Sequence, residues 1–304
     1  MINLYDIRYV RLGTTDLKAA TEFAVNIVGL DIAHRTRGAT YFKSDQRDHT
    51  LVYFEGDPAD QTVGFELSDP GELDATAAAL EAAGHPVHWG TRDECDLRAT
   101  RAYINFTDPS GNSIDLLARP YHSGLRYHGA RETGITGFNH IGLCSTDTAR
   151  DEAFWTRVCN ARVSDWISEA ALIRVRTAHH SIALFPWSAK GVQHINHQVG
   201  SVDDVLRAYY YMLDHNIPIQ FGPGRHPTSG AMFLYFTGPH GMVYEYSHGV
   251  RHIQPEEEAD YRPRQFAWDR WSLCHWGSKP DIPAFRLAQP MTEMPIAPYK
   301  THAN

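Results

Sequence analysis

Apolar and polar residues alternate over short stretches along most of the chain, for example in residues 40–44, 50–55 and 180–185. A period of two residues is typical of β-strands that bury one face. Other segments have helical periodicity, such as residues 14–30, in which Asp16 is a predicted N-cap for an amphipathic helix. The pattern predicts an α+β protein in which helices cover one face of antiparallel-rich sheets.

The same order of elements occurs twice. Each copy contains a capped amphipathic helix, a later helix that ends at Gly84 or Asn216, and two strands joined by a Pro-x-Gly turn. The matching segments are separated by about 130 residues each time, a regularity that indicates an internal duplication. The pairs are 14–30 with 145–161, 68–90 with 200–222, and 101–117 with 231–247.

The duplication predicts two pseudo-repeated domains built from βαβββ modules, one over residues 1–125 and one over residues 135–250. Residues 121–134 between the repeats are polar and contain glycine, as expected of a linker. Residues 251–304 have no counterpart in either repeat. We interpret this extension as a segment that packs over the body of the protein or over its site.

Composition narrows the functional classes. The chain has 304 residues, 42% of them apolar, which is enough for two ordinary cores. Its net charge of −8 and the absence of a basic run argue against nucleic acid as a partner. Without a stretch of about 20 apolar residues or a signal-like start, the sequence predicts a cytoplasmic protein with no membrane segment. The four dispersed cysteines suggest neither disulfides nor a thiolate zinc site.

The differences between the repeats point to a metal site. The second repeat has His140, His194 and Glu245 at three positions where the first repeat has residues poorly suited to hold a metal. The residues at those first-repeat positions are Tyr9, Thr62 and Asp115. Two imidazoles and one carboxylate on one face of an Fe(II) ion leave three adjacent positions open, enough for a chelating diol and O₂. Residues 135–250 are therefore predicted to be the metal-binding, catalytic domain, and residues 1–125 a domain without a metal site.

Three further residues of the second repeat are candidates for proton transfer, namely His180, His226 and Tyr235. Histidine is suited to accept a proton near neutral pH, and a phenol can donate to a developing oxyanion. His179 precedes His180, and strand alternation predicts that its side chain faces the opposite way. His197 is interpreted as structural, because it lies three residues after His194 on the same predicted strand.

Nearly the whole chain up to about residue 250 resembles the two-domain extradiol ring-cleavage dioxygenases of the vicinal oxygen chelate superfamily, which have a glyoxalase-like fold. The most specific part is residues 224–245, which are similar to the family signature of a histidine, a spacer, an aliphatic-Tyr pair, Pro-x-Gly and a ligand Glu. The chain departs from that signature at Gly238, where the family usually has Asp, Asn or a similar residue before the proline. The first repeat has Asp108 at the matching position.

The resemblance implies that His140, His194 and Glu245 bind Fe(II), with Mn(II) as an alternative metal. It implies that His180 is the acid/base residue, and that His226 and Tyr235 hydrogen-bond the diol. The substrates would be O₂ and a small aromatic diol of the catechol type, cleaved next to its hydroxyls. Members with this layout commonly assemble, so a homo-oligomer is expected.

The predicted substrate pocket is aromatic and aliphatic, which suits an aromatic ring with a substituent. Its candidate residues are Leu172, Phe185, Trp187, Phe221 and Phe233. A substrate carboxylate could be met by Arg174, Arg225 or Arg251. Monocyclic, bicyclic and carboxylated catechols all fit this description.

Two alternative functions remain at this point. One is a glyoxalase-type lyase or epimerase on the same scaffold, in which the metal polarises an enediolate without O₂. The other is a metal-free protein that binds aromatic compounds. Stoichiometric iron would exclude the second alternative, and O₂ consumption would exclude the first.

Overall fold

The computed structural model describes residues 1–282, and the part of the predicted extension after residue 282 lies outside the described residues. The described chain forms two mixed sheets with helices against them, which confirms the predicted α+β fold and its two repeats. None of the helices in residues 1–282 is both long enough and apolar enough to cross a lipid bilayer.

The first repeat forms a sheet of eight strands in the order β2-β3-β4-β1-β5-β8-β7-β6. The strands are β1 Leu4–Thr14, β2 Asp31–Thr36, β3 Ala39–Lys43, β4 Leu51–Glu55, β5 Gln61–Leu67, β6 His88–Trp89, β7 Thr100–Thr107 and β8 Ser113–Pro120. The helices are α1 Leu17–Glu22, which continues as a π-helical turn over Phe23–Ile27, α2 Leu73–Ala82 and α3 Arg92–Asp96.

The second repeat and the extension share a sheet of nine strands in the order β14-β15-β16-β13-β9-β12-β11-β10-β17. The strands are β9 Ile135–Ser145, β10 Arg162–Ile167, β11 Ala170–Arg174, β12 Ile182–Pro186, β13 Val192–Val199, β14 Ile219–Arg225, β15 Met232–Thr237, β16 Val243–His248 and β17 Arg264–Phe266. The helices are α4 Thr148–Arg157, α5 Val202–Asp214 and α6 Arg270–Leu273.

Helix boundaries follow the expected local chemistry. The Asp16 carboxylate caps α1 by accepting from the Ala19 N–H, and Asp147 caps α4 in the same way. The helices α2 and α5 are followed by Gly84 and Asn216, both with a positive φ, at the positions where the sequence predicted them to end.

Each repeat consists of two βαβββ units joined side by side. In the first repeat, β1 pairs with β4 in parallel and with β5 antiparallel, while β5 pairs in parallel with β8. In the second repeat, β9, β12, β13 and β16 pair in the same way. This arrangement places β9 and β13 at the centre of the second sheet, where their side chains alternate between a helix-covered face and a concave face.

The helix-covered faces of both sheets contribute to one continuous apolar core. At the seam, the rings of Phe65 and Trp155 lie 5.4 Å apart, and the hydroxyls of Tyr53 and Tyr244 are 2.6 Å apart. A separate apolar cluster fills the concave face of the second sheet. The extension contributes to this cluster, since Trp268 and Leu273 are buried in it.

Candidate metal centre and active site

The three predicted metal ligands converge on one point of the concave face. His140 on β9 pairs with Asn196 on β13, and Glu245 on β16 pairs with the same Asn196 from the other side. His194 lies two residues before Asn196, so strand alternation directs it to the same face. All three ligand side chains are buried.

The three donor atoms are spaced as they would be if they occupied one face of an octahedral metal ion. The Nε2 atoms of His140 and His194 are 3.0 Å apart, and a Glu245 carboxylate oxygen lies 3.0 Å from the first and 3.5 Å from the second. Metal–ligand bonds of about 2.1 Å at right angles place neighbouring donors about 3.0 Å apart. The residues present therefore fit one divalent ion of the first transition row.

The electrostatics of the three groups also suit a cation. Burial lowers the pKa of His194 to about 3, against the opposing effect of Glu245, so this imidazole stays neutral. Burial alone would raise the pKa of Glu245, but His140 and His226 lower it well below its usual value. The Oε2 of Glu245 faces the Nε2 atoms of both imidazoles but makes no hydrogen bond of normal geometry within residues 1–282, as expected of three donor atoms arranged around a metal ion.

Two residues next to His194 fix its position. The Gln193 side-chain oxygen accepts a hydrogen bond from the His194 Nδ1, which leaves the Nε2 lone pair for a metal. On the adjacent strand, a Cβ added to Gly142 would lie 2.4 Å from the His194 Nδ1 and 2.5 Å from the Gln193 oxygen. The absence of a side chain at Gly142 therefore leaves space for the His194 imidazole. The first repeat has Arg11 at the matching position, opposite Thr62.

We expect Gly142→Ala to weaken metal binding about 10- to 100-fold, because the added methyl group displaces His194 from its hydrogen bond and from the other two ligands. Titration of the metal-free protein with Fe(II) under anaerobic conditions measures this change. Gly200→Ala is the matched control, since a Cβ there would meet nothing closer than 3.5 Å. Equal affinity in the Gly142→Ala and wild-type proteins would contradict the proposed role of the glycine.

The three predicted proton-transfer residues surround the metal position. The ring of His180 lies 4.0 Å from that of His140, and His180 lines the cavity together with His194. On the other side, the His226 Nε2 is 3.1 Å from the Tyr235 hydroxyl and 3.7 Å from a Glu245 oxygen. The His226 Nδ1 donates to the Leu273 carbonyl at 2.8 Å, so its Nε2 carries the lone pair and can accept from the Tyr235 hydroxyl or from a diol.

His179 does not point away from His180 as strand alternation predicted. Both residues precede β12, which begins at Ile182, and their Nδ1 atoms are 3.1 Å apart. Alternation does not apply because the backbone bends at this point, where the His179 N–H bonds the Arg251 carbonyl. His197 is fully buried beside Phe138 and does not line the cavity.

An apolar cavity adjoins the metal position. Of the predicted pocket residues, Leu172 and Phe185 line it. Phe221 and Phe233 lie behind the site, with the Phe233 ring stacked on His226 at 3.9 Å. Trp187 lines a neighbouring outer groove instead. The lining residues that the sequence did not indicate are Ile167, Ala183, Thr228 and Leu273.

The three arginines that the sequence offered as partners for a substrate carboxylate make other contacts. Arg174 is buried against Ser164 and Glu258, and Arg225 donates to the Gly230 carbonyl. The Arg251 guanidinium lies over the ring of Tyr261 at 5.3 Å. Within residues 1–282, no arginine or lysine lines the cavity.

The matching place in the first repeat is closed by an ion pair. Asp115 accepts hydrogen bonds from the Tyr9 hydroxyl at 2.8 Å, from Arg98 at 2.7 Å and from Asn105 at 2.8 Å. Thr62 faces Ser113 instead. The guanidinium thus supplies the positive charge that a metal would supply in the second repeat, and Asn105 stands where the second repeat has its Tyr235.

We expect Arg98→Leu to reduce the free energy of unfolding by roughly 3 kcal/mol, because it leaves the fully buried Asp115 without its cation. Denaturant unfolding of the metal-free protein measures this effect. Arg92→Leu is the matched control, since the Arg92–Asp96 pair on α3 is exposed and should contribute little. A similar small change in both variants would show that the buried pair is not required.

Comparison with known proteins places the chain in a family. The sequence model of the Glyoxalase/Bleomycin resistance protein/Dioxygenase superfamily matches residues 6–116 and 137–246. The chain belongs to this superfamily. The two matches coincide with the two repeats, and together with the relatives below they confirm the resemblance to two-domain extradiol dioxygenases.

Among curated relatives, a biphenyl-2,3-diol 1,2-dioxygenase of Sphingomonas paucimobilis is 24% identical over 85% of this chain and 92% of its own length. An iron-dependent extradiol dioxygenase of Rhodococcus jostii is 25% identical over 84% of this chain and 92% of its own length. Each of these relatives is matched over 92% of its own length.

Solved structures agree with this fold. A halotolerant catechol dioxygenase superposes with a TM-score of 0.81 at 24% identity, over 93% of this chain and 97% of that one. A Mn(II)-bound glyoxalase from Novosphingobium aromaticivorans superposes with a TM-score of 0.82 at 23% identity, over 98% and 97% of the two chains. Fold similarity alone therefore does not separate the two activities.

Proposed function

We propose that the protein is an Fe(II)-dependent extradiol dioxygenase, which cleaves a catechol-type ring next to its two hydroxyls and incorporates both atoms of O₂. The observation that carries this proposal is the convergence of His140, His194 and Glu245, with donor atoms 3.0–3.5 Å apart, beside an apolar cavity. The names of the relatives support the same reaction class.

His140, His194 and Glu245 would hold the ion, and Mn(II) would satisfy the same ligands. Bound Fe(II) supplies Lewis acidity toward the diol and electrons toward O₂. The apolar residues of the cavity would exclude water from the site and contact the aromatic ring of a bound diol.

The remaining site residues are suited to transfer protons and to orient the diol. Tyr235 and His226 form a hydrogen-bonded pair on one side, suited to orient a diol hydroxyl and to take its proton at the His226 Nε2. On the other side, His180 lines the cavity and can hold or return a proton. Two separate proton carriers on opposite sides suit a reaction in which a diol loses protons and a ring-opened product gains one.

The glyoxalase-type alternative is less well supported. Such enzymes usually draw metal ligands from both repeats, whereas the equivalent positions of the first repeat are closed by the Arg98–Asp115 pair. An isomerisation that does not involve O₂ also does not require the three further site residues His180, His226 and Tyr235. The fold similarity to a Mn(II)-bound glyoxalase keeps this alternative worth testing.

The direct test is to load the metal-free protein with Fe(II) under anaerobic conditions and to add O₂ with a panel of monocyclic, bicyclic and carboxylated catechols. We expect one O₂ consumed per diol, a yellow product, and two atoms of ¹⁸O in that product when ¹⁸O₂ is used. Iron binding with isomerisation of a hemithioacetal and no O₂ uptake would favour the glyoxalase-type activity instead. Parallel loading with Mn(II) determines which metal supports turnover.

A further inference from the structure

A chain of hydrogen bonds connects the extension to the acid/base candidate. Arg264 on β17 binds Asp165 on β10 through its backbone N–H at 2.8 Å and its guanidinium at 2.7 Å and 3.1 Å. Asp165 contacts the His179 Nε2 at 2.8 Å, and the His179 Nδ1 lies 3.1 Å from the His180 Nδ1. His180 in turn lines the cavity.

The distances determine where the protons lie. An ionised carboxylate can only accept, so the His179 Nε2 must carry a proton toward Asp165. A neutral His179 then has a lone pair on Nδ1, and the proton between the two Nδ1 atoms must belong to His180. A neutral His180 with its proton on Nδ1 has a lone pair on Nε2.

The surroundings keep these groups in the required states. Asp165 and His179 are fully buried, and His180 is 6% exposed. Burial lowers the pKa of His179 in spite of the opposing effect of Asp165, so its imidazole stays neutral. Burial would raise the pKa of Asp165, but hydrogen bonds from His179 and Arg264 lower it, so this residue stays ionised.

The first repeat provides an internal comparison. Strand register aligns Asp165, His179 and His180 with His34, Asp48 and His49. There the Asp48 carboxylate contacts the His49 Nδ1 directly, at 2.9 Å. In each repeat, therefore, the Nδ1 of the histidine is hydrogen-bonded by the side chain of the residue before it. In the second repeat that residue is a histidine that a buried aspartate orients.

We propose that Asp165 and His179 are positioning residues that fix the tautomer of His180, with its proton on Nδ1 and its Nε2 lone pair available to the cavity. Arg264 holds Asp165 in place, so the extension takes part in preparing the site. The kinetic consequence of this arrangement rests on the dioxygenase function proposed above. The tautomer itself does not.

The sharpest test is Asp165→Asn, which preserves shape. Arg264 places two donors at the Asp165 Oδ1 and one at the Oδ2, so the orientation that loses fewer of these bonds keeps the amide oxygen at the Oδ1 position. The amide NH₂ then faces His179. His179 must then accept at Nε2 and donate from Nδ1, which moves the His180 proton to Nε2. A wrong tautomer of this kind is known to disable an otherwise intact histidine base.

Long-range ¹H–¹⁵N spectra of the metal-free, histidine-labelled protein measure the tautomer, with the His180 signals assigned by their loss in His180→Ala. We expect Nδ1–H in the wild type and Nε2–H in Asp165→Asn. In the Fe(II)-loaded protein we expect Asp165→Asn to lower kcat about tenfold or more, with unchanged iron content and little change in KM. Asp147→Asn is the matched control, because Asn caps α4 as well as Asp does.

A second variant keeps the test informative if Asp165→Asn does not fold. In His179→Asn the side-chain oxygen can replace Nδ1 as the acceptor for His180, so the tautomer should be preserved. His179→Leu should lose it. An Nε2–H tautomer in the wild type, or the same tautomer in wild type and Asp165→Asn, would overturn the proposal. Absence of turnover in a wild type that shows Nδ1–H would instead count against the dioxygenase function alone.

Discussion

His194→Ala is expected to lose both bound metal and turnover. His194 supplies one of only two imidazole donors, and its Nε2 lies 3.0 Å and 3.5 Å from the other two donor atoms. Without it, a divalent ion keeps one imidazole and one carboxylate, and its affinity should fall by more than about 100-fold, the upper range for losing even an outer-shell partner. Metal analysis after Fe(II) loading and gel filtration, combined with O₂ uptake, measures both losses.

The matched control is His197→Ala, because His197 lies on the same strand, is equally buried and does not line the cavity. This variant should keep about one iron per chain even if its unfolding temperature falls. Full turnover by a metal-free His194→Ala protein would exclude the mechanism proposed here. Loss of iron from both variants would show that the fold of β13, rather than the ligand, had been disturbed.

The internal duplication made it possible to predict the three metal ligands from the sequence. A lone histidine on a strand is uninformative, but His140, His194 and Glu245 occupy positions whose first-repeat counterparts are Tyr9, Thr62 and Asp115, and strand register in both sheets aligns these same positions. The first repeat has Arg11 where the second has Gly142, and this difference also pointed to the site. A glycine opposite His194 leaves space for the imidazole ring, which a side chain there would occupy. The similarity of residues 49–54 to residues 180–185 could likewise have identified His49 as the counterpart of His180.

Other parts of the site depend on contacts that leave no pattern in the sequence. Asp165 reaches His179 only because β10 and the bend before β12 lie close together in the folded sheet. Arg264 and Leu273 reach the site because β17 adds to the edge of the sheet next to β10. Neither the parallel pairing of a three-residue strand nor the position of a bend follows from hydrophobic periodicity, so the role of the extension required the structure.

The orientation of His179 shows the limit of the alternation rule. Side chains alternate only while the backbone stays extended and paired, and β12 begins two residues after His180. Trp187 shows a related limit, since it follows β12 and lines the outer groove with Trp166. Residues at the ends of strands were therefore the least reliably placed from the sequence.

His180→Ala is expected to keep the metal and lose rate. His180 contacts the ring of His140 but contributes no donor atom to the cluster of three ligands, so iron binding should be nearly unchanged. Removing a positioned acid/base group typically lowers kcat by about 10²- to 10⁴-fold, and we expect a fall within this range with little change in KM. Steady-state O₂ uptake at several diol concentrations, normalised to iron content, separates these two parameters.

His252→Ala is the control for this variant. His252 belongs to the same half of the chain, but it bonds Thr177 at the surface and does not line the cavity. It should retain wild-type kcat and iron content. If His180→Ala lost iron in proportion to activity, the residue would be acting on the metal ligands rather than on protons. If it kept full kcat, the proton would have to be carried by His226 and Tyr235 alone, and the two-sided arrangement proposed for the site would be wrong.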